Sequence, residues 1–348
     1  MYSLMFSFIV LIGFICLILA GCHKRDIRIE TRESYLQMLN GLRGIFALEI
    51  VVGHVVRNER ILLYPLGKFM ICSVAYFFFV SAFGMAVSFE KKKNYLSYKF
   101  LISKPLYLFI ISFIFYLVDM VIDYVCRSDL NYVTPGVPKA FFVTTNWYIW
   151  ELIGFYILFF CVYKYMPKFR IPLVAGITII LSVVMYYSGF KETYIASSFA
   201  FPMGLLFGEY FENVKQFLFS FKGFFMTVTL SIFGMSCFLI KNENVISMVF
   251  MRNAIGIATI LIIFFACTRY TLGEGQIVIF LSKYSTEIYL SQFVWLRLTE
   301  SLGWNYMIRL PFVVAATIIM AVLMHPIVHV VRKQCSCRLA KELLIDKK

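Results

Sequence analysis

Arg43 and His54 stand eleven residues apart in the run Leu42-Arg43-Gly44-Ile45-Phe46-Ala47-Leu48-Glu49-Ile50-Val51-Val52-Gly53-His54. At about 100° and 1.5 Å per residue, that separation is roughly 20° beyond three helical turns and about 16 Å along the axis. An α-helix here puts both side chains on one face, with Arg43 at the mouth of an apolar run and His54 deep within it. Such a pair suits chemistry on a polyanionic donor. The guanidinium can grip a phosphate or polarise a carbonyl, and the imidazole can move a proton or accept an acyl group. The same residues also fit an arginine snorkelling at a helix end and a buried histidine bonded to a backbone carbonyl. Spacing alone leaves both readings open.

Other ionisable groups in apolar runs are suspects for the same reason, because burying them in a membrane is costly. Asp119 and Asp123 are four residues apart. They read first as interfacial carboxylates reaching water, and second as hydrogen-bond partners for a polar ligand. Glu151, one turn from Trp147, fits either role equally. Glu49 projects roughly 120° from the Arg43 face and reads as a helix–helix hydrogen-bond partner. Glu287 is expected to pair with Arg252 or Lys283. His325 and His329 make a poor zinc site without a cysteine or carboxylate nearby and read as interfacial polarity, so no metal is expected. Trp147, Trp150, Trp295 and Trp304 all fall at the outer ends of apolar runs, as an aromatic belt, or secondarily a ring-stacking platform for a ligand, would place them. The sequence contains no glycine-rich phosphate loop, Cys-x-x-Cys pair or Gly-x-Ser-x-Gly turn.

The elements that must position these groups are membrane helices. Hydrophobic residues make up 61% of the 348 and charged residues only 15%, with mean hydropathy +0.81. Soluble domains run at about 45–50% apolar and about 25% charged, so a soluble enzyme, a disordered tail and a disulfide scaffold are excluded. Apolar runs fall near 4–20, 42–56, 69–88, 105–125, 144–163, 171–188, 195–210, 223–240, 247–267, 276–294 and 308–331. They predict an all-α polytopic protein with ten core transmembrane helices and one extra N-terminal hydrophobic helix. The organisation expected is a span and basic linker over 1–39, a membrane domain over 40–331 and a basic tail over 332–348.

The net charge of +14 comes from an uneven spread of Lys and Arg, of which 21 of 33 fall on alternate connecting segments. The positive-inside rule makes those segments and the C-terminus cytoplasmic, in a multi-pass protein of the cell membrane. Nucleic acid is not an expected partner, and the oligomeric state is left open. Leu19-Ala20-Gly21-Cys22 has the look of a lipoprotein cleavage box. The basic residues Lys24, Arg25, Arg28 and Arg32 follow the run instead of preceding it, so a retained span is favoured. Nine cysteines, mostly in apolar runs, read as small hydrophobic residues, and Cys335 and Cys337 as surface thiols.

Leu42-Arg43-Gly44 followed by His54 resembles the opening of the integral-membrane acyltransferases called the acyltransferase 3 family. Later segments agree in order. Phe77-Phe78-Phe79-Val80-Ser81-Ala82-Phe83 is similar to its Phe-Phe-x-x-Ser-Gly-Phe. The basic stretch Lys91 to Lys104 leads into Pro105-Leu106-Tyr107, like its basic segment and Pro-Leu-Tyr. Trp147, Phe155 and Tyr156 resemble its fourth helix, and Ser285, Ile288, Tyr289 and Leu290 its Ser-Tyr-x-x-Tyr-Leu. The resemblance covers roughly 40–331.

It implies an O-acyltransferase that moves an acyl group, commonly acetyl, from cytoplasmic acyl-CoA to a hydroxyl of an envelope or exported glycan, or of a lipid-linked saccharide. Acyl-CoA is then a co-substrate, and no permanently bound cofactor is implied. Arg43 and His54 correspond to the family's essential pair. Arg43, Ser81, Lys99 and Lys104, with the Lys91–Lys93 cluster, are expected at the acyl-CoA, and Trp147, Glu151 and Tyr289 at the acceptor. The chain departs from the pattern at Asn40, where Asp is usual and would have partnered Arg43. It departs again at Ala82, Ile102 and Gln292, and in using Lys where Arg is common. The competing reading is a lipid-linked glycan flippase or small-solute transporter. Such proteins often carry internal repeats, and none is visible here.

Overall fold

In a computed structural model, residues 2–19, 22–24, 31–57, 62–92, 94–127, 147–190, 192–239 and 245–345 are described. Lys93, Ala20, Gly21, Arg25 and Arg28 lie outside the described residues, as do the side chains of Lys24, Cys237, Cys335 and Cys337. The described chain is mostly helical, with one pair of two-residue strands, β1 (His23–Lys24) and β2 (Tyr270–Thr271), which run antiparallel. Among the described residues, seven helices are long and apolar enough to cross a membrane, or eight if the bent pair Phe211–Phe219 and Phe221–Ser236 forms one span. The apolar run at the N-terminus is a helix, α1 (Tyr2–Leu19), but falls among the shorter apolar helices.

The chain divides into two compact units, Met1–Lys93 with Phe169–Lys283, and Asn94–Lys168 with Tyr284–Lys348. The first unit is built on α2 (Arg32–Val56) and α3 (Tyr64–Lys91), with α7 (Arg170–Tyr187), α8 (Ala200–Glu209), α9 (Phe211–Phe219), α10 (Phe221–Leu239), α11 (Val245–Cys267) and α12 (Gln276–Lys283). The run expected to start at Leu42 begins ten residues earlier, at Arg32. Thr31 is the reason: in extended conformation, its Oγ1 accepts from Ser34 N at 3.2 Å and caps the first turn, while Glu33 suits the positive end of the helix dipole.

The short α8 packs closely on α3. A Cβ on Gly204 would stand 2.4 Å from the Phe79 carbonyl oxygen, and one on Gly208 would stand 2.4 Å from Ala86 Cβ. Two glycines four apart let the backbones meet, as is common between membrane helices. Beside this contact, Tyr35 rests edge-on against Phe83 at 5.4 Å and Phe264 at 5.1 Å, in an aromatic core.

The ends of these helices sort into two sets. Arg32 pairs with Glu90 and donates to Gly208 O, Lys91 pairs with Glu33, and Arg170 pairs with Glu209. At the other end, Arg252 pairs with Glu192, and Asn253 bonds Ile195 O and Phe199 N. The first set brings together segments that the charge count put on one side, and the second brings together segments that it put on the other.

The second unit holds α4 (Tyr98–Leu101), a π-helical turn at Ile102–Leu106, α5 (Tyr107–Arg127), α6 (Trp147–Tyr165), α13 (Ser285–Ser301) and α14 (Tyr306–Ile345). Pro105 lies inside the π turn and has no N–H for the helical ladder, so the chain takes up an extra residue there. The run expected at 276–294 is two helices, α12 and α13, separated at Tyr284.

Candidate functional site

Arg43 and His54 lie on one uninterrupted helix, α2, as their spacing requires, and both are half-buried. The turn that carries Arg43 is held from two sides. Tyr76 on α3 donates its hydroxyl to Leu39 O at 2.5 Å, and its ring stacks on Phe46 at 4.0 Å. Ser282 at the end of α12 accepts from Gly44 N at 3.1 Å and donates to Gly41 O. Only glycine fits at position 44, because a Cβ there would stand 2.3 Å from Ser282 N and 2.4 Å from the Leu281 carbonyl carbon. The Leu-Arg-Gly triplet therefore has a packing reason for its last member.

The Arg43 guanidinium lies 5.8 Å from the centroid of the Phe77 ring. Its Nε is buried without a hydrogen-bond partner, and it forms no ion pair among the described residues. Asn40, at the position where the resemblance calls for Asp, is exposed. Glu49, between Arg43 and His54 in sequence, faces α3 instead, where Ser73 Oγ donates to its Oε2 at 2.5 Å. That is the helix–helix role expected of it. Ser81 is half-buried on α3, in the same unit as Arg43 and His54.

In the second unit, Lys99 is exposed on α4 and Lys104 is half-buried in the π turn. Trp147 and Glu151 lie one turn apart at the start of α6. The Tyr148 ring lies edge-on to Tyr289 at 5.1 Å, which brings the start of α6 to α13. Glu151 Oε2 is buried with no hydrogen-bond partner among the described residues.

Two sequence expectations are corrected here. Asp119 and Asp123 do not reach water: they are 5% and 2% exposed. Arg297 on α13 bonds Asp123 through Nε at 3.0 Å and lies 3.5 Å from Asp119, and this countercharge permits their burial. Glu287 was expected to pair with Arg252 or Lys283, but its ion-pair partner among the described residues is a histidine, and Arg252 pairs with Glu192. His325 Nδ1 lies 2.8 Å from Glu287 Oε1, so His325 is a partner of a buried carboxylate and more than interfacial polarity. Sequence reasoning also missed Tyr76, Ser282 and Arg297. The one available signal was Gly41 and Gly44 on the Arg43 turn, which marks a close neighbour without naming it.

Residues 36–327 match the acyltransferase domain of the acyltransferase 3 family. The match spans most of the chain, and the chain belongs to that family. With its long apolar helices, it is a membrane acyltransferase. No curated protein and no solved structure matches it.

Proposed function

We propose that the protein transfers an acyl group, most simply acetyl, from cytoplasmic acyl-CoA to a hydroxyl of an envelope or exported glycan. The observation that carries this reading is Arg43, a cation without an ion-pair partner among the described residues, fixed on the helix that also presents His54. The family match supports acyl transfer, and a guanidinium with no ion pair among the described residues supports an anionic donor.

The axial separation of about 16 Å divides the labour. In this reading Arg43 takes the phosphate-bearing part of the donor and His54 the reacting end. The acceptor oxygen attacks the thioester carbonyl carbon while His54 takes the hydroxyl proton. The carbon–sulfur bond then breaks, and the proton passes to the leaving thiolate to give CoA thiol and the O-acyl ester. Ser81 is assigned to the donor with Arg43. In the second unit, Lys99 and Lys104 are assigned to donor phosphates, and Trp147, Glu151 and Tyr289 to the acceptor. The ten-helix core, the extra N-terminal span and a cytoplasmic C-terminus belong to this proposal. The contacts that sort the helix ends of the first unit, together with the excess of Lys and Arg on one set, support that orientation.

The test is binding of radiolabelled acetyl-CoA to the purified full chain in detergent. Saturable binding that weakens when Arg43 is replaced by alanine is expected. Absence of binding would leave the flippase or transporter reading in its place.

A further inference from the structure

We propose that Ser282 is a positioning residue for Arg43, a role that rests on Arg43 being the donor-binding cation. Three hydrogen bonds from neighbouring elements converge on the stretch of α2 that bears Arg43. Leu39 O is the helical acceptor of the Arg43 N–H, and Tyr76 OH also donates to it at 2.5 Å. Ser282 Oγ donates to Gly41 O and accepts from Gly44 N, which is the N–H directly after Arg43. The hydroxyl is thus inserted between a carbonyl two residues before Arg43 and an amide one residue after it.

This contact differs in kind from ordinary helix packing. Side chains that merely fill space leave a helix free to rotate about its axis by small amounts. A hydroxyl bonded to two backbone groups of one turn fixes both the rotation and the depth of that turn. The backbones are also in steric register: a Cβ on Gly41 would stand 2.5 Å from Gly273 O, and one on Gly44 would stand 2.5 Å from Leu281 Cβ. The direction in which the Arg43 side chain leaves the helix is therefore set by α12 and by the loop before it. Arg43 itself has no ion pair among the described residues to aim it, and Asn40 supplies no charge. The backbone clamp takes over the orienting that a carboxylate partner would otherwise give. Ser282 does not need to touch the donor.

The experiment is a double-mutant cycle on the full-length protein in detergent, read as the dissociation constant of a non-hydrolysable ketone analogue of acetyl-CoA, with a melting curve recorded for each variant. Arg43→Ala should weaken binding by about tenfold or more, as expected for losing a charge-assisted hydrogen bond. Ser282→Ala should weaken it by about three- to tenfold, the range of one neutral hydrogen bond. In the Arg43→Ala background, Ser282→Ala should have no further effect, because the residue it orients is gone. Ser282→Thr, which keeps the hydroxyl, should restore most of the affinity. A merely structural serine would weaken binding by the same factor in both backgrounds, and that result overturns the proposal, as does unaltered affinity in Ser282→Ala. If Arg43→Ala binds as well as wild type, it is instead the donor-binding reading of Arg43 that falls.

Discussion

His325 Nδ1 lies 2.8 Å from Glu287 Oε1, joining α14 to α13 through a carboxylate whose side chain is only 4% exposed. The Tyr284 ring stands edge-on to the imidazole at 4.8 Å and holds it in place. Removing one member of a buried pair costs more than removing both, since the survivor keeps its desolvation cost without its partner. His325→Ala should therefore destabilise the protein by about 3–5 kcal/mol. Glu287→Gln combined with His325→Ala should recover part of that loss. Thermal unfolding in detergent measures both, and a double variant less stable than His325→Ala would contradict the pairing.

The Arg297 cluster makes an ordered prediction. One guanidinium serves two carboxylates, and Asp123 holds the closer contacts at 2.8 and 3.0 Å against 3.5 Å for Asp119. Arg297→Ala leaves two buried acids facing each other and should cost about 3–5 kcal/mol. Asp123→Asn weakens the main charge-assisted bonds and should cost about 1.5–3 kcal/mol. Asp119→Asn removes the surplus negative charge and should be nearly neutral. A ranking with Asp119→Asn as the most damaging change would show that Arg297 serves the wrong aspartate in this account.

The contact of α8 on α3 supplies a steric test. A methyl on Gly204 meets the Phe79 carbonyl oxygen at 2.4 Å and Ala82 Cβ at 2.8 Å, and backbone cannot step aside as a flexible side chain can. Gly204→Ala should cost about 1–3 kcal/mol, the usual range for overpacking. Gly176→Ala, where nothing lies within 4 Å, should be without effect on the same melting curve. Equal behaviour of the two variants would mean that α8 does not seat on α3 this closely.

How much of this was legible in the sequence depends on the kind of interaction. The α2 helix and the common face of Arg43 and His54 follow from local periodicity, and Thr31 with Glu33 even carries the cap signal that places the helix start. Glu49 was read as a helix–helix partner from its angle alone, and Ser73 is that partner. Asp119, Asp123 and Glu287 were misread because their partners, Arg297 and His325, are 174 and 38 residues away along the chain. A one-dimensional pattern shows which groups are costly to bury but not what compensates them. The split of the 276–294 run at Tyr284 falls in the polar stretch Ser282-Lys283-Tyr284-Ser285-Thr286-Glu287, a local break that is passed over when the flanking apolar residues are read as one span.

The sharpest functional prediction contrasts two residues of one helix. His54 shares the Arg43 face, whereas Glu49 turns to α3 and spends one oxygen on Ser73. If the chemistry lies along the Arg43 face, His54→Ala should lower acyl transfer to the glycan by about 10²- to 10⁴-fold, the range of a general acid–base group. Glu49→Gln should leave the rate nearly unchanged, because a carboxamide oxygen still accepts from Ser73. Both variants should insert into the membrane and melt close to wild type. The measurement is CoA release from acetyl-CoA in membranes containing acceptor glycan, with O-acyl product followed in parallel. Loss of activity in Glu49→Gln alone would move the reacting face of α2 by roughly 120°, onto the side that packs against α3. Full activity in His54→Ala would remove the imidazole from the mechanism altogether.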